Sequence, residues 1–326
     1  MRRSGHRGPR AGLRRRKGGT AVVRHGPTAG GAAGGQPGHR RRGGRPGPRR
    51  VIVDAHCHAW RRWPYETAPL DCTAEALLRA LDEHGVDHAL VVAARIGRPG
   101  AHNDDNNAYV GAAVARWPDR LSLAVEVDGH WSAEYGSAGA ADRLDRVAAD
   151  HPVAAVALYP APGADGWLDH GPGADLVHRA GELGLPVSAA VTPQRRGELR
   201  NVARRHPGVT FLLHHLGLPS RGRDGGAHAL ADAYADLDNV YLKLSGLHYA
   251  DATERFPYPG VWAGVVEPLL ARLGPGRLVW GSDFPAYRQR ATYTQARDVL
   301  EPSGATACPG RELIAGNTLA RLLGLG

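Results

Sequence analysis

Val51-Ile52-Val53-Asp54-Ala55-His56-Cys57-His58-Ala59-Trp60 is a β-branched apolar run that ends in an Asp-x-His-x-His pattern. Side chains alternate between faces along a strand, so this spacing predicts Asp54, His56 and His58 on one face and Val53, Ala55 and Cys57 on the other. Two imidazoles at i, i+2 can converge on one metal ion or one substrate carbonyl, and a strand fixes them more rigidly than a loop. Cys57, on the opposite face, reads as a small buried hydrophobe rather than a nucleophile.

From Val51 onward, short apolar runs alternate with amphipathic stretches, the pattern of repeated βα units. Eight strands are predicted, at 51 to 58, 87 to 95, 121 to 128, 153 to 160, 186 to 191, 209 to 217, 239 to 246 and 277 to 285. A helical stretch follows each of them. Gly85, Gly184 and Gly274 stand where left-handed caps are needed, and Pro118, Pro152 and Pro207 stop helices. Eight units in order, without a Gly-rich phosphate loop, favour a closed (β/α)8 TIM barrel over an open doubly wound sheet. A further helix, from Arg311 to Leu323, is expected to pack outside the barrel.

The chain has 326 residues and a formal charge of +9, unevenly spread. Residues 1–50 hold 15 of the 41 Lys and Arg and no acid, which leaves 26 basic against 32 acidic groups, a net of −6, in residues 51–326. With 14 Gly and 5 Pro, the first fifty residues read as a disordered basic extension. Met1 is the only methionine, and composition changes abruptly at Val51. A start assigned upstream of a true one near Val51 is the preferred explanation, and a genuine basic arm that binds nucleic acid is the alternative. Three cysteines match no zinc or disulfide pattern, and no window approaches a membrane span, so the expectation is a cytoplasmic protein.

In such a barrel the active site lies at the C-terminal strand ends. Strand one ends in His56 and His58, strand six in His214-His215-Leu216-Gly217, and strand eight in Gly281-Ser282-Asp283-Phe284-Pro285, while strand seven carries Lys243 and Ser245. Alternation lets only one of His214 and His215 face inward, and His214 reads as a buried or helix-facing partner rather than a ligand. Lys243 should face the lumen, where it is either catalytic or paired with Glu126 or Asp128. Trp60, Trp63 and Tyr65 could wall a pocket, Tyr159 ends strand four, and Arg288 and Arg290 could hold a substrate carboxylate.

Asp54-Ala55-His56-Cys57-His58, His215-Leu216-Gly217, Lys243-Leu244-Ser245-Gly246, Gly281-Ser282-Asp283-Phe284-Pro285 and the closing Gly316-Asn317-Thr318-Leu319-Ala320-Arg321 together resemble the amidohydrolase superfamily. More narrowly, they resemble its branch of fuconolactonase-like and pyrone-dicarboxylate lactone hydrolases. The resemblance implies a lactonase-like hydrolase acting on a small molecule. Asp283 would be the general base, His215 would orient or polarise the carbonyl, and Lys243 would stabilise the oxyanion. His56, His58, Trp60, Tyr159 and Arg288 would contact substrate. It also implies either no metal or one divalent ion, zinc or manganese, on His56, His58 and Asp283. Strand four lacks the lysine of a binuclear site, and Ala190 stands where mononuclear members have a strand-five histidine. The rival within the branch is a mononuclear metal-dependent decarboxylase. Self-association is compatible with the fold, and no membrane partner is expected.

Overall fold

The computed structural model describes residues 51–96, 103–163, 165–219, 226–300, 308 and 310–325, and the expected extension at 1–50 lies outside these. Eight parallel strands follow one another in chain order: β1 (Val53–Cys57), β2 (His88–Val92), β3 (Leu121–Glu126), β4 (Val153–Leu158), β5 (Val187–Ala189), β6 (Phe211–Leu213), β7 (Val240–Leu244) and β8 (Leu278–Trp280). Just past β8, Cys57 bridges to Phe284, Asp283 N–H donates to His56 O at 2.7 Å, and His58 N–H donates to Phe284 O at 2.7 Å. These contacts join the last strand to the first, giving the expected TIM barrel.

The intervening helices are α1 (Ala74–His84), α2 (Asn106–Arg116), α3 (Ala140–Asp150), α4 (Pro172–Glu182), α5 (Arg196–Arg205), α6 (Gly226–Tyr234), α7 (Pro259–Val261), α8 (Glu267–Leu273), α9 (Tyr293–Asp298) and α10 (Thr318–Leu323). A π turn over Trp262–Val266 links α7 to α8. Capping follows side-chain chemistry at α1, where Thr73 accepts from Ala76 N–H and Gly85 ends the helix at φ 64°. No helix among the described residues is long and apolar enough to cross a membrane.

Strand alternation sorts the core into two sets. Leu90, Val92, Ala124, Ala155, Ala157, Leu212, Tyr241 and Val279 pack together inside the ring. Val91, Leu123, Val125, Val156, Leu158, Leu242 and Leu244 pack outward against the helices. The final segment turns through a π turn at Leu313–Asn317 into α10, and Leu319 and Ala320 join the inward set. It therefore plugs the N-terminal end of the barrel rather than packing outside it. Gly316 makes this possible, because a Cβ there would lie 2.1 Å from Val51 O.

β1 breaks the alternation read from its sequence. Asp54 pairs with Ala89 and Cys57 with Val91, so Ala55 and His56 together oppose the single residue Leu90, which is a bulge. Val53 and Ala55 consequently join the inward set, on the side of His56. Asp54 shares the face of Ala89 and accepts hydrogen bonds from His56 N–H (3.0 Å), Ser282 N–H (2.9 Å) and Tyr293 O–H (3.1 Å). It braces the β1–β8 seam and is not the third member of a cradle, because one extra residue reverses the facing of everything before it.

Gly281 sets how closely that seam can pack, since a Cβ would meet His56 Cβ at 2.7 Å and His56 N at 2.8 Å. Gly281→Ala should cost about 1–3 kcal/mol by overpacking, read as a lower urea midpoint, and an unchanged midpoint would contradict this account of closure. A second prediction concerns Glu126 at the end of β3. Its buried carboxylate accepts from the N–H groups of Arg95 and Gly129 and from Trp131 Nε1, and burial raises its pKa from 4.5 to about 7. Between those values the folded chain keeps a proton that the unfolded chain has lost, so stability falls as pH rises through that window. The contribution amounts to at most about 3 kcal/mol. Glu126→Gln should flatten this part of the stability–pH curve, and parallel curves for the two proteins would count against it.

Candidate active site

The C-terminal ends of β1, β5, β6, β7 and β8 deliver their polar side chains to one place. His56 and His58 come from β1, Ser188 from β5, His214 and His215 from the turn after β6, Lys243 from β7, and Asp283 from the loop after β8. Asp283 is held at φ 60°, a left-handed conformation that Asp tolerates better than most residues. Its Oδ1 lies 3.6 Å from His56 Nε2 and 3.8 Å from His58 Nε2. Tyr249 O–H donates to its other oxygen, Oδ2, at 3.3 Å.

Both histidines of the His214-His215 pair reach the lumen, where strict alternation allows one, and His214 is a buried partner there rather than a helix-facing one. Alternation from the inward Leu212 carries His214 inside, where its ring lies 4.4 Å from that of His56 and its Nε2 is 2.8 Å from Ser188 Oγ. The backbone then leaves the strand, with φ 49° at His215 and 57° at Leu216. This turn swings His215 inward as well, with its ring 4.7 Å from that of His56 and its Nδ1 3.1 Å from Ser245 Oγ.

Lys243 faces the lumen as predicted and is fully buried, at 0 % exposure, but its partner is neither Glu126 nor Asp128. Asp128 is taken by Arg143, through Nε at 2.8 Å. Lys243 Nζ donates to Ser188 Oγ at 2.6 Å and sits 3.3 Å from His56 Nδ1. It therefore lies behind His56, on the Nδ1 side of that ring. Burial pulls its pKa down to about 7.

Burial also dominates the other charges. It holds His56, His214 and His215 well below the ordinary imidazole range and His58 at about 4, so these rings are neutral at pH 7. It pushes Asp283 well above the usual carboxylate value. His58 Nδ1 donates to Val92 O at 2.9 Å, which fixes its tautomer and leaves the Nε2 lone pair toward Asp283.

His56 Nε2 is buried without a hydrogen-bond partner among the described residues. Ligand atoms of His56, His215 and Asp283 lie within 4.8 Å of one another, so these three side chains fit one divalent ion. His58, expected in that set, lies outside this grouping, with its Nε2 3.8 Å from Asp283 Oδ1. β4 presents Ala155 and Ala157 to the same lumen.

The surrounding residues divide into wall and scaffold. Trp60, expected to touch substrate, is fully buried; its ring stacks on His58 at 4.8 Å and its Nε1 donates to Ala94 O at 2.7 Å. It sets the plane of His58 from behind. Tyr159 stands beside His214, with ring centroids 5.2 Å apart. Arg288 points away, reaching Asp71 O at 3.4 Å in a groove against α1. Arg290 instead lines a cavity of about 410 Å³ with Tyr65, Thr67, His248 and Tyr249. Tyr249 links this cavity to the site, since it lines the one and bonds Asp283, which is itself buried, in the other. Sequence reading missed Ser188 and Tyr249. Ser188 could have been found as the inward position paired with Ala157 and Leu212, whereas Tyr249 carries no strand periodicity.

A sequence model described as Amidohydrolase matches residues 53–324. The L-fucono-1,5-lactonase of Burkholderia ambifaria is 28% identical over 256 residues, covering 72% of this chain and 81% of the relative. An amidohydrolase from Burkholderia multivorans, solved with bound zinc, superposes with a TM-score of 0.64 at 21% identity, over 84% of this chain and 99% of that one. A Pseudomonas putida protein assigned as a 2-pyrone-4,6-dicarboxylic acid hydrolase superposes with a TM-score of 0.65 at 21% identity, over 85% and 98%. A barrel whose first, sixth and eighth strands converge on His56, His215 and Asp283, matched from end to end by that sequence model, belongs to the amidohydrolase family.

Proposed function

We propose that this amidohydrolase opens a lactone or a related cyclic ester or amide, with Asp283 as the base that activates water. The observation that carries this reading is the placement of the Asp283 carboxylate. It is buried and faces the Nε2 atoms of His56 and His58, with no Arg or Lys in salt-bridge contact among the described residues, so its basicity is not consumed by an ion pair there. His58 presents only a lone pair and so orients the attacking water, a narrower role than holding the carbonyl. His56 and His215 flank the same space and hold the carbonyl oxygen.

Water gives a proton to Asp283 and its oxygen adds to the carbonyl carbon. As the tetrahedral intermediate collapses, the ring C–O or C–N bond breaks and Asp283 returns the proton to the leaving oxygen or nitrogen. A divalent ion held by His56, His215 and Asp283 would supply Lewis-acid polarisation of that carbonyl. The lactonase named among the relatives supports ester hydrolysis over decarboxylation.

Asp283→Asn keeps the left-handed backbone and the side-chain shape while removing the base. It should lower kcat by about 10²–10⁴-fold on any lactone turned over, with the urea midpoint little changed, and retained turnover would rule out Asp283 as base. Zinc titration followed by calorimetry should saturate at no more than one equivalent per chain, with binding lost in His56→Ala. Two equivalents would contradict the donor set.

A further inference from the structure

The 410 Å³ cavity is walled by two large aromatic side chains that stay partly in solvent, Tyr65 (40 % exposed) and Tyr249 (47 % exposed), and Tyr249 also bonds Asp283. Tyr249 is not a stray surface ring. It ends a 3-10 turn over Leu247–Tyr249, its N–H donates to Gly246 O at 2.8 Å, and its ring packs on His215 at 4.5 Å. Gly246 is held at φ 56°, and a Cβ on it would lie 2.5 Å from Tyr249 Cδ2 and 2.6 Å from His215 Nδ1. The chain thus places a glycine where the two rings meet, and the phenol reaches a carboxylate that is itself buried, at 3.3 Å.

We propose that Tyr249 is a positioning residue with two separable parts. Its hydroxyl ties down Asp283 Oδ2, which leaves Oδ1, the oxygen facing His56 and His58, to take the proton from water. Its ring, together with Tyr65, forms the wall against which the part of the substrate that does not react is held. The proposal rests on the assignment of Asp283 as base and adds a determinant of its orientation. A carboxylate with one oxygen tethered has lost most of its rotational freedom, and small misplacement of a base is costly in rate.

The test compares Tyr249→Phe, Tyr249→Ala and Tyr65→Ala on lactones that the wild type hydrolyses, together with crystal structures of wild type and Tyr249→Phe. Tyr249→Phe keeps the wall and loses the tether, so kcat should fall about 10–100-fold with KM within about threefold. Tyr65→Ala should raise KM about tenfold with a smaller effect on kcat than Tyr249→Phe, because it removes wall area and leaves the Tyr249 tether to Asp283 in place. Tyr249→Ala should do both. In the Tyr249→Phe structure the Asp283 carboxylate should turn away from the two imidazoles. A kcat for Tyr249→Phe within twofold of wild type, or a carboxylate left in place, overturns the proposal. Absence of wild-type turnover on any lactone would defeat the lactonase reading, and the two structures would still decide the role of Tyr249.

Discussion

The seam between the last strand and the first is the constraint on which the site depends. Two backbone hydrogen bonds, Asp283 N–H to His56 O and His58 N–H to Phe284 O, hold the base-bearing loop against the histidine-bearing strand. The absence of a side chain at Gly281 lets the strands approach that closely. Asp54 secures the same joint by accepting from Ser282 N–H and Tyr293 O–H. The residues that close the barrel are therefore interleaved with those proposed to carry the chemistry, and a shift of the seam would move base and imidazoles together.

The cost of this arrangement is a dense group of polar side chains out of water. Lys243, Ser188 and His214 form a continuous hydrogen-bonded line behind His56. Buried polar groups are tolerable when each finds a partner. The line satisfies the buried ammonium and leaves His56 Nε2 as the open valence that faces Asp283. The site is thus anchored from behind by Lys243 and Trp60, while Tyr249, which bonds Asp283, also lines the cavity formed with Tyr65 and Arg290.

Much of this was legible in the sequence. The repeated βα spacing gave the barrel, and the polar strand ends gave His56, His58, His215, Lys243 and Asp283. What could not be read follows from departures from ideal geometry. A bulge in β1 reverses the facing of Asp54, Val53 and Ala55, and no residue type announces it. A left-handed run that starts at His215 swings that residue inward beside His214, where strict alternation allows only one of the two. Trp60 and Tyr65 lie five residues apart in one loop, yet one is a buried support and the other a pocket wall, a distinction that belongs to packing alone. Ser188 and Tyr249 act through neighbours distant in sequence, so neither forms a local motif.

The measurement that bears most directly on the central claim is ring opening of L-fucono-1,5-lactone and a panel of five- and six-membered lactones in H₂¹⁸O, followed by mass spectrometry. Activation of water by Asp283 predicts enzyme-dependent consumption of a lactone with one ¹⁸O in the product carboxylate and none in the released hydroxyl. Release of CO₂ from a carboxylated substrate without ¹⁸O in the ring-derived product, or no enzyme-dependent opening of any lactone, would contradict it.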